Sequence, residues 1–181
     1  MLDYLNLIHK YIQPNSNAYK YYIVHVTLVT QKAVSIAKNL GLSTQQIEFI
    51  EEATMLHDIG IIQVNMPSIG CYGNKPYLQH MTIGKEILLK EGLPKHAEIA
   101  EKHTTITKEQ IIKLKLPLEP KDMFPTFLEG EIIAYSDMFF TKHPALLWQE
   151  RLYENVLKIC ENEYGGGKTI KLFKKWHEKF T

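Results

Sequence analysis

Hydrophobic positions recur every three or four residues along most of this chain, and the interruptions are rich in proline and glycine. Leu2, Leu5, Ile8, His9 and Ile12 keep helical spacing until Pro14-Asn15-Ser16-Asn17 ends the pattern. A second helix is predicted from about Ala18 to Leu40, with His25, Val29, Ala33, Ile36 and Leu40 on one stripe and Gly41 as its stop. The β-branched run from Ile23 to Val29 would also suit a strand, so this helix rests on the longer period. Ser43 or Thr44 caps a third helix with Ile47, Ile50, Thr54 and His57 down one face, and Gly60 is placed where a left-handed residue closes a last turn.

Residues 61–77 hold Pro67, Gly70, Gly73 and Pro76 and read as a long loop, of a length that suggests a lid beside a site. Helices follow over 78–91 and 94–104, with Pro94 suited to a first turn, and a short one after Thr107. Pro117, Pro120 and Pro125 make 116–125 irregular. Thr126 is expected to cap a helix to about Phe140, followed by a helix over 144–162, a linker at Gly165-Gly166-Gly167 and an amphipathic helix from Thr169. No segment alternates with period two. The expected fold is all-α, a single helical bundle over 1–181 with a core at about 20–145 and a helical extension over 146–181.

Composition narrows this only a little. The 181 residues suffice for a proper core, and 45% hydrophobic with 23% charged residues is ordinary globular usage. A formal charge of +1 gives no basic field of the kind that marks a dedicated nucleic-acid binder, though it leaves room for a nucleotide or short oligonucleotide. Cys71 and Cys160 form no Cys-x-x-Cys pair, and free thiols in a reducing compartment are the better reading. No apolar run approaches spanning length and the first residues do not resemble a signal, so a cytoplasmic protein without membrane contact is expected. The sequence does not speak to oligomeric state.

The chemistry lies in an ordered set of imidazoles and carboxylates: His25, then the doublet His57-Asp58, then His80, His103 and Asp137. Nitrogen and carboxylate donors together suit iron, manganese, cobalt, nickel or zinc, and the sequence does not choose among them. Taken singly, each residue has a plainer reading. His25 on an apolar stripe is more often a hydrogen-bonded core residue, and Asp58 could pair with a lysine at a solvated helix end. Yet Asp58 falls at a helix C-terminus, whose dipole disfavours an anion, and Asp137 stands between Ala134-Tyr135-Ser136 and Met138-Phe139-Phe140. Both call for a compensating cation, and the set as a whole favours a metal site.

This order, with Ile59-Gly60 after the doublet, resembles the HD superfamily of metal-dependent phosphohydrolases in its HDIG branch, over about residues 20–145. His80-Met81-Thr82-Ile83-Gly84 and the segment from Leu93-Pro94 to His103-Thr104 are similar to the third and fourth histidines of members that bind two metals. The resemblance implies an all-helical fold, a first metal on His25, His57, Asp58 and Asp137, and a second on Asp58, His80 and His103. One or two divalent transition metals are therefore expected. It also implies catalysis at His57 and Asp58, with metal-activated water cleaving a phosphomonoester or phosphodiester of a nucleotide or related small phosphate. A bound metal lowers the pKa of its water to about 7, so no serine or cysteine nucleophile is required. Two alternatives stay open: a module that binds a nucleotide at the metal without cleaving it, and a di-iron oxygenase.

The chain departs from that pattern in places. Ile61-Ile62 stand where several two-metal branches carry a lysine, so the cation facing the transition state must come from elsewhere, with Lys75, Lys85 and Lys102 as candidates. The GYP signature of cyclic-di-nucleotide phosphodiesterases is not evident. Gly165-Gly166-Gly167-Lys168-Thr169 has the end of a phosphate-binding loop but Asn162 where a glycine is required. His9, His96, His143 and His177 are expected at the surface, and the basic, aromatic last helix is expected to dock on the core.

Overall fold

The computed structural model describes residues 2–162 and 167–181; the predicted linker at Gly165-Gly166 lies outside the described residues. The fold is all-α: α1 (Tyr4–Tyr11), α2 (Asn17–Asn39), α3 (Thr44–Leu56), α4 (His80–Lys90), α5 (Pro94–Lys102), α6 (Lys108–Leu114), α7 (Leu128–Asp137), α8 (Tyr153–Asn162) and α9 (Lys168–Phe180). The helix starts follow local chemistry. Asp3 and Ser16 accept from the backbone N–H groups of Asn6 and Tyr19, and Ser43 with Gln46, and Thr107 with Gln110, form reciprocal capping boxes. Gly41 takes a left-handed conformation (φ 68°) and stops α2 where expected.

α2 has 23 residues, about 35 Å of helix, and it connects two apolar clusters. Its first half presents Tyr22 and Val26 to Ile8, Leu56, Ile59, Ile61, Leu88 and Ala100. Its second half presents Val29, Ala33 and Ala37 to Ile50, Ala53, Ile132, Tyr135, Phe173 and Trp176, which places α9 against the core. A smaller cluster of Met81, Ile106, Ile111 and Met123 lies beside α4 and α6. His25 sits at the junction of the two large clusters.

Four expectations are corrected. Residues 61–77 form no open loop. They build a 3-10 turn (Ile59–Gln63), a two-residue hairpin of β1 (Asn65–Met66) and β2 (Cys71–Tyr72), and further 3-10 turns at Pro67–Ile69 and Tyr77–Gln79. Val64, Ile69 and Cys71 are buried in the core, so this segment is anchored at three points along its length. α7 begins one residue later than Thr126 would place it, with Phe127 at the N-cap and no side-chain cap, and it ends at Asp137. The stretch after His143 makes only a 3-10 turn at Pro144–Leu146 and becomes α-helical at Tyr153. Gly60 does not take a left-handed conformation. Its lack of a side chain serves close packing instead: a Cβ there would fall well inside contact distance of the His80 carbonyl oxygen and 2.5 Å from the Gly84 nitrogen.

Candidate metal centre

The six residues of the ordered set come from five parts of the fold and converge on one point. His25 projects from the middle of α2, His57 ends α3 and Asp58 follows it, and His80 opens α4. His103 ends α5, and Asp137 is the last residue of α7. Local packing explains the convergence. The Tyr22 hydroxyl donates to the Met55 carbonyl oxygen (2.6 Å), fixing the end of α3 against α2. The glycine contact described above lets the turn after Asp58 lie backbone to backbone against α4, which brings His80 to the doublet.

Three imidazoles are held in the same way. Nδ1 of His57, His80 and His103 lies 2.6, 2.7 and 2.9 Å from the carbonyl oxygens of Thr54, Tyr77 and Ala100, each three residues upstream. A carbonyl can only accept, so Nδ1 carries the hydrogen and, in a neutral ring, Nε2 presents a lone pair. These Nε2 atoms turn towards Asp58. Its Oδ2 lies 3.2 Å from Nε2 of both His25 and His57, while its Oδ1 lies 3.2 Å from Nε2 of His80 and 3.8 Å from that of His103. Asp137 Oδ1 lies 3.0 Å from His25 Nε2 and 3.5 Å from His57 Nε2.

Electrostatics show how much this centre wants positive charge. Asp58 is fully buried, which alone would raise its pKa, but Lys142, His57 and His25 hold it well below the usual carboxylate value. Asp137 is likewise held low by His25 and His57 against its burial. Burial pushes His57 down, yet the charges of Asp58 and Asp137 outweigh it and raise that imidazole to about 10. Burial dominates at His103, helped by the charge of His57, and takes it down to about 3; His80 is lowered for the same first reason. His80 and His103 are therefore neutral with both Nε2 lone pairs facing each other at 3.2 Å. That contact is unfavourable unless a cation lies between or beside them.

The donor set fits a divalent ion. Buried Asp58 Oδ1, Asp137 Oδ1 and His57 Nε2 find no well-directed hydrogen bond, a cost that buried polar groups escape only with a partner. The candidate donor atoms form overlapping trios whose members lie within 4.8 Å of one another: His25, His57 and Asp58; His57, His103 and Asp137; and Asp58, His80 and His103. Asp58 belongs to the first and last of these, with Oδ2 facing His25 and His57 and Oδ1 facing His80 and His103. Imidazole Nδ1–H bonded to backbone carbonyls is also the usual outer support of histidine ligands.

One residue that the sequence did not single out stands at the centre. Nζ of Lys142 lies 2.5 Å from Asp58 Oδ2 and 3.2 Å from His25 Nε2, and its side chain is only 10% exposed. Burial would lower its pKa, but Asp58, Tyr77 and Asp137 raise it, so it is an ammonium. A cavity of about 290 Å³ opens beside the centre, lined among others by His25, His80, Thr104, Asp137, Lys142 and Arg151. The three lysines expected to face substrate do not line it. Lys85 is bound by Glu101 (2.9 Å), Lys102 by Glu98 (2.9 Å), and the Lys75 backbone pairs with Gln63 and Asn65 in the hairpin region. Of the histidines assigned to the surface, His9 and His143 are exposed, His177 is half-buried against Tyr135, and His96 is buried with its Nε2 3.4 Å from Glu52. His96 shares the stripe of Ile99, Ala100 and His103, a spacing that points inward.

Comparison with known proteins agrees with this geometry. The chain is 35% identical over 151 residues to an uncharacterized protein of Methanocaldococcus jannaschii, covering 79% of this chain and 77% of that one. It is 32% identical over 149 residues to a tRNA (cytidine(56)-2'-O)-methyltransferase of Thermoplasma volcanium and 27% identical over 170 residues to that of Picrophilus torridus. The matches cover 81% and 82% of this chain but only 38% and 45% of the methyltransferases, so the chain spans less than half of their length. The fold is similar to the crystal structure of the HD domain of the L. monocytogenes phosphodiesterase PgpH, with a TM-score of 0.54 at 18% identity over 96% of this chain and 94% of that one. The family model described as HD domain matches residues 22–139, a span that contains all six residues of the centre, and the chain belongs to that family.

Proposed function

We propose that this protein is a metal-dependent phosphohydrolase acting on a small phosphate ester. The observation that carries the reading is the buried cluster in which Asp58 offers one oxygen to His25 and His57 and the other to His80 and His103. In this reading His25, His57, Asp58 and Asp137 hold one divalent ion, and Asp58, His80 and His103 hold a second. When bound, such ions lower the pKa of water towards neutrality and attract phosphoryl oxygens. The rest falls to the chain itself. The backbone carbonyls of Thr54, Tyr77 and Ala100 fix the three rings, and the apolar walls around them keep bulk water from the buried carboxylate. Arg151, tied by Nη1 to the carbonyl oxygens of Met138 and Phe140, and Lys142 give the cavity two cations for an anionic substrate.

The cavity's size suits a nucleotide or a smaller phosphate. Similarity to part of two tRNA methyltransferases supports including RNA-derived phosphates among the candidates. We take residues 1–181 as one domain, with the core at about 20–145 and the 146–181 extension packed on it. Among the described residues no helix is long and apolar enough to cross a membrane. The test is hydrolysis by chelated protein reloaded with manganese, read as phosphate release from nucleoside monophosphates and as ring opening or chain shortening, by chromatography, of cyclic nucleotides and short oligoribonucleotides. Hydrolysis that requires metal and disappears in Asp58→Asn supports the reading. Tight nucleotide binding with no hydrolysis across the panel would replace it with a binding module.

A further inference from the structure

We propose that Lys142 is a tethered counter-ion that fills part of the centre in the metal-free chain and withdraws into the adjoining cavity when a divalent ion is bound. The inference rests on the metal reading given above. Three observations carry it. First, the Lys142 ammonium touches two atoms assigned to one ion, Asp58 Oδ2 at 2.5 Å and His25 Nε2 at 3.2 Å. A divalent ion held by the same two atoms and an ammonium in contact with both of them cannot coexist, because like charges at that separation in a dry site repel strongly. Second, Asp58 is fully buried, and Lys142 brings an ammonium into direct contact with it, the kind of partner that a buried carboxylate requires. Third, the residue is placed to move. Lys142 lies between the end of α7 and the 3-10 turn at Pro144–Leu146, in backbone that is neither helix nor strand, and its side chain lines the cavity. His57, His80 and His103 are held by backbone carbonyls, whereas the Lys142 ammonium reaches the centre on a flexible four-carbon stem.

Exchange has a consequence for recognition. In the metal-free chain the ammonium is neutralised by Asp58 and offers little to an anion. Once displaced it stays on the cavity wall, so a phosphate group meets a free lysine only in the metal-loaded protein.

The experiment is amine acylation of the wild-type chain, read by mass spectrometry at each lysine, in chelator and in saturating Mn²⁺, with Mn²⁺ binding measured by equilibrium dialysis. Lys38 and Lys158, both exposed, are the internal references. Acylation of Lys142 should rise several-fold on loading while the references do not change. Equal labelling in a chain that binds Mn²⁺ overturns the exchange and leaves the metal site standing. A wild-type chain that binds no Mn²⁺ overturns the metal reading and the exchange with it. In a second measurement, Lys142→Met should bind Mn²⁺ at least about tenfold more tightly, since no resident cation has to leave. Weaker binding by a folded Lys142→Met would show that the lysine supports the metal site instead. The labelling needs no variant and decides the matter if that protein does not fold.

Discussion

Nε2 of His80 faces Nε2 of His103 at 3.2 Å, and the opposite nitrogen of each ring is occupied by a carbonyl three residues upstream. Neither ring can turn its hydrogen inward without setting Nδ1 against a carbonyl lone pair. The pair is thus arranged for a cation that it does not itself supply. His80→Ala and His103→Ala should each lower the metal content of purified protein from two equivalents per chain to one, with circular dichroism unchanged. Metal analysis that still finds two equivalents in both variants would rule out their part in the centre.

Asp58 is the residue shared by both halves of the centre. Asp58→Asn keeps the shape but removes the charge that four imidazoles and a lysine surround. Metal retention and phosphate release should fall to background while helix content persists. Because Lys142 loses its partner in this variant, the chelated protein should also be less stable than chelated wild type in denaturant unfolding, by roughly the 3–5 kcal/mol typical of a broken buried pair. A variant that still turned over at the wild-type rate would end the proposed mechanism.

Gly60 has a different use from the turn-closing one that its position implies. Gly60→Ala puts a methyl group against the His80 carbonyl and the Gly84 amide, both of them backbone atoms that cannot swing aside. The cost should be about 1–3 kcal/mol of overpacking, or more, read from denaturant unfolding. Metal content should fall as well, because α4 must move away from Asp58. A stable Gly60→Ala protein with full metal content would show that this backbone contact is dispensable.

A pH effect is expected away from the centre. Glu101 Oε1 lies 2.9 Å from Lys85 Nζ and 2.8 Å from Lys121 Nζ. Burial would raise this carboxyl, but the two lysines outweigh it and hold its pKa below the ordinary 4.5. A carboxylate with a depressed folded pKa contributes stability above its unfolded value and loses it as the pH falls through the folded one, where the unfolded chain has already bound the proton. Chelated wild type should therefore exceed Glu101→Gln in stability near pH 7, and the difference should shrink below pH 4.5. A difference that is constant from pH 7 to pH 3 would assign the effect to packing.

The sequence shows the helices well where the apolar period is long and the ends carry chemistry. α2, α3, α5 and α6 begin or stop close to Gly41, Ser43, Pro94 and Thr107 as these residues dictate. The six residues of the ordered set are legible for a similar reason: each lies on a helix or at its end, where spacing predicts direction. Lys142 is not legible in this way. It lies in irregular backbone after Asp137, and no period says where a four-carbon side chain will turn. The segment 61–77 misleads because its prolines and glycines signal turns without showing that Val64, Ile69 and Cys71 between them are buried. His96 is readable from its stripe with Ile99, Ala100 and His103, although it falls outside the ordered set.

The contact of Gly60 with α4 sets a length. Across the site, the distance from the doublet to the third histidine is measured by two peptide backbones lying face to face, with no side chain between them. Side chains change size from one sequence to another, whereas the peptide unit does not. A gap calibrated in this way does not depend on the volume of any side chain, so a substitution in the surrounding core reshapes the cavity walls before it alters the spacing of the charged groups.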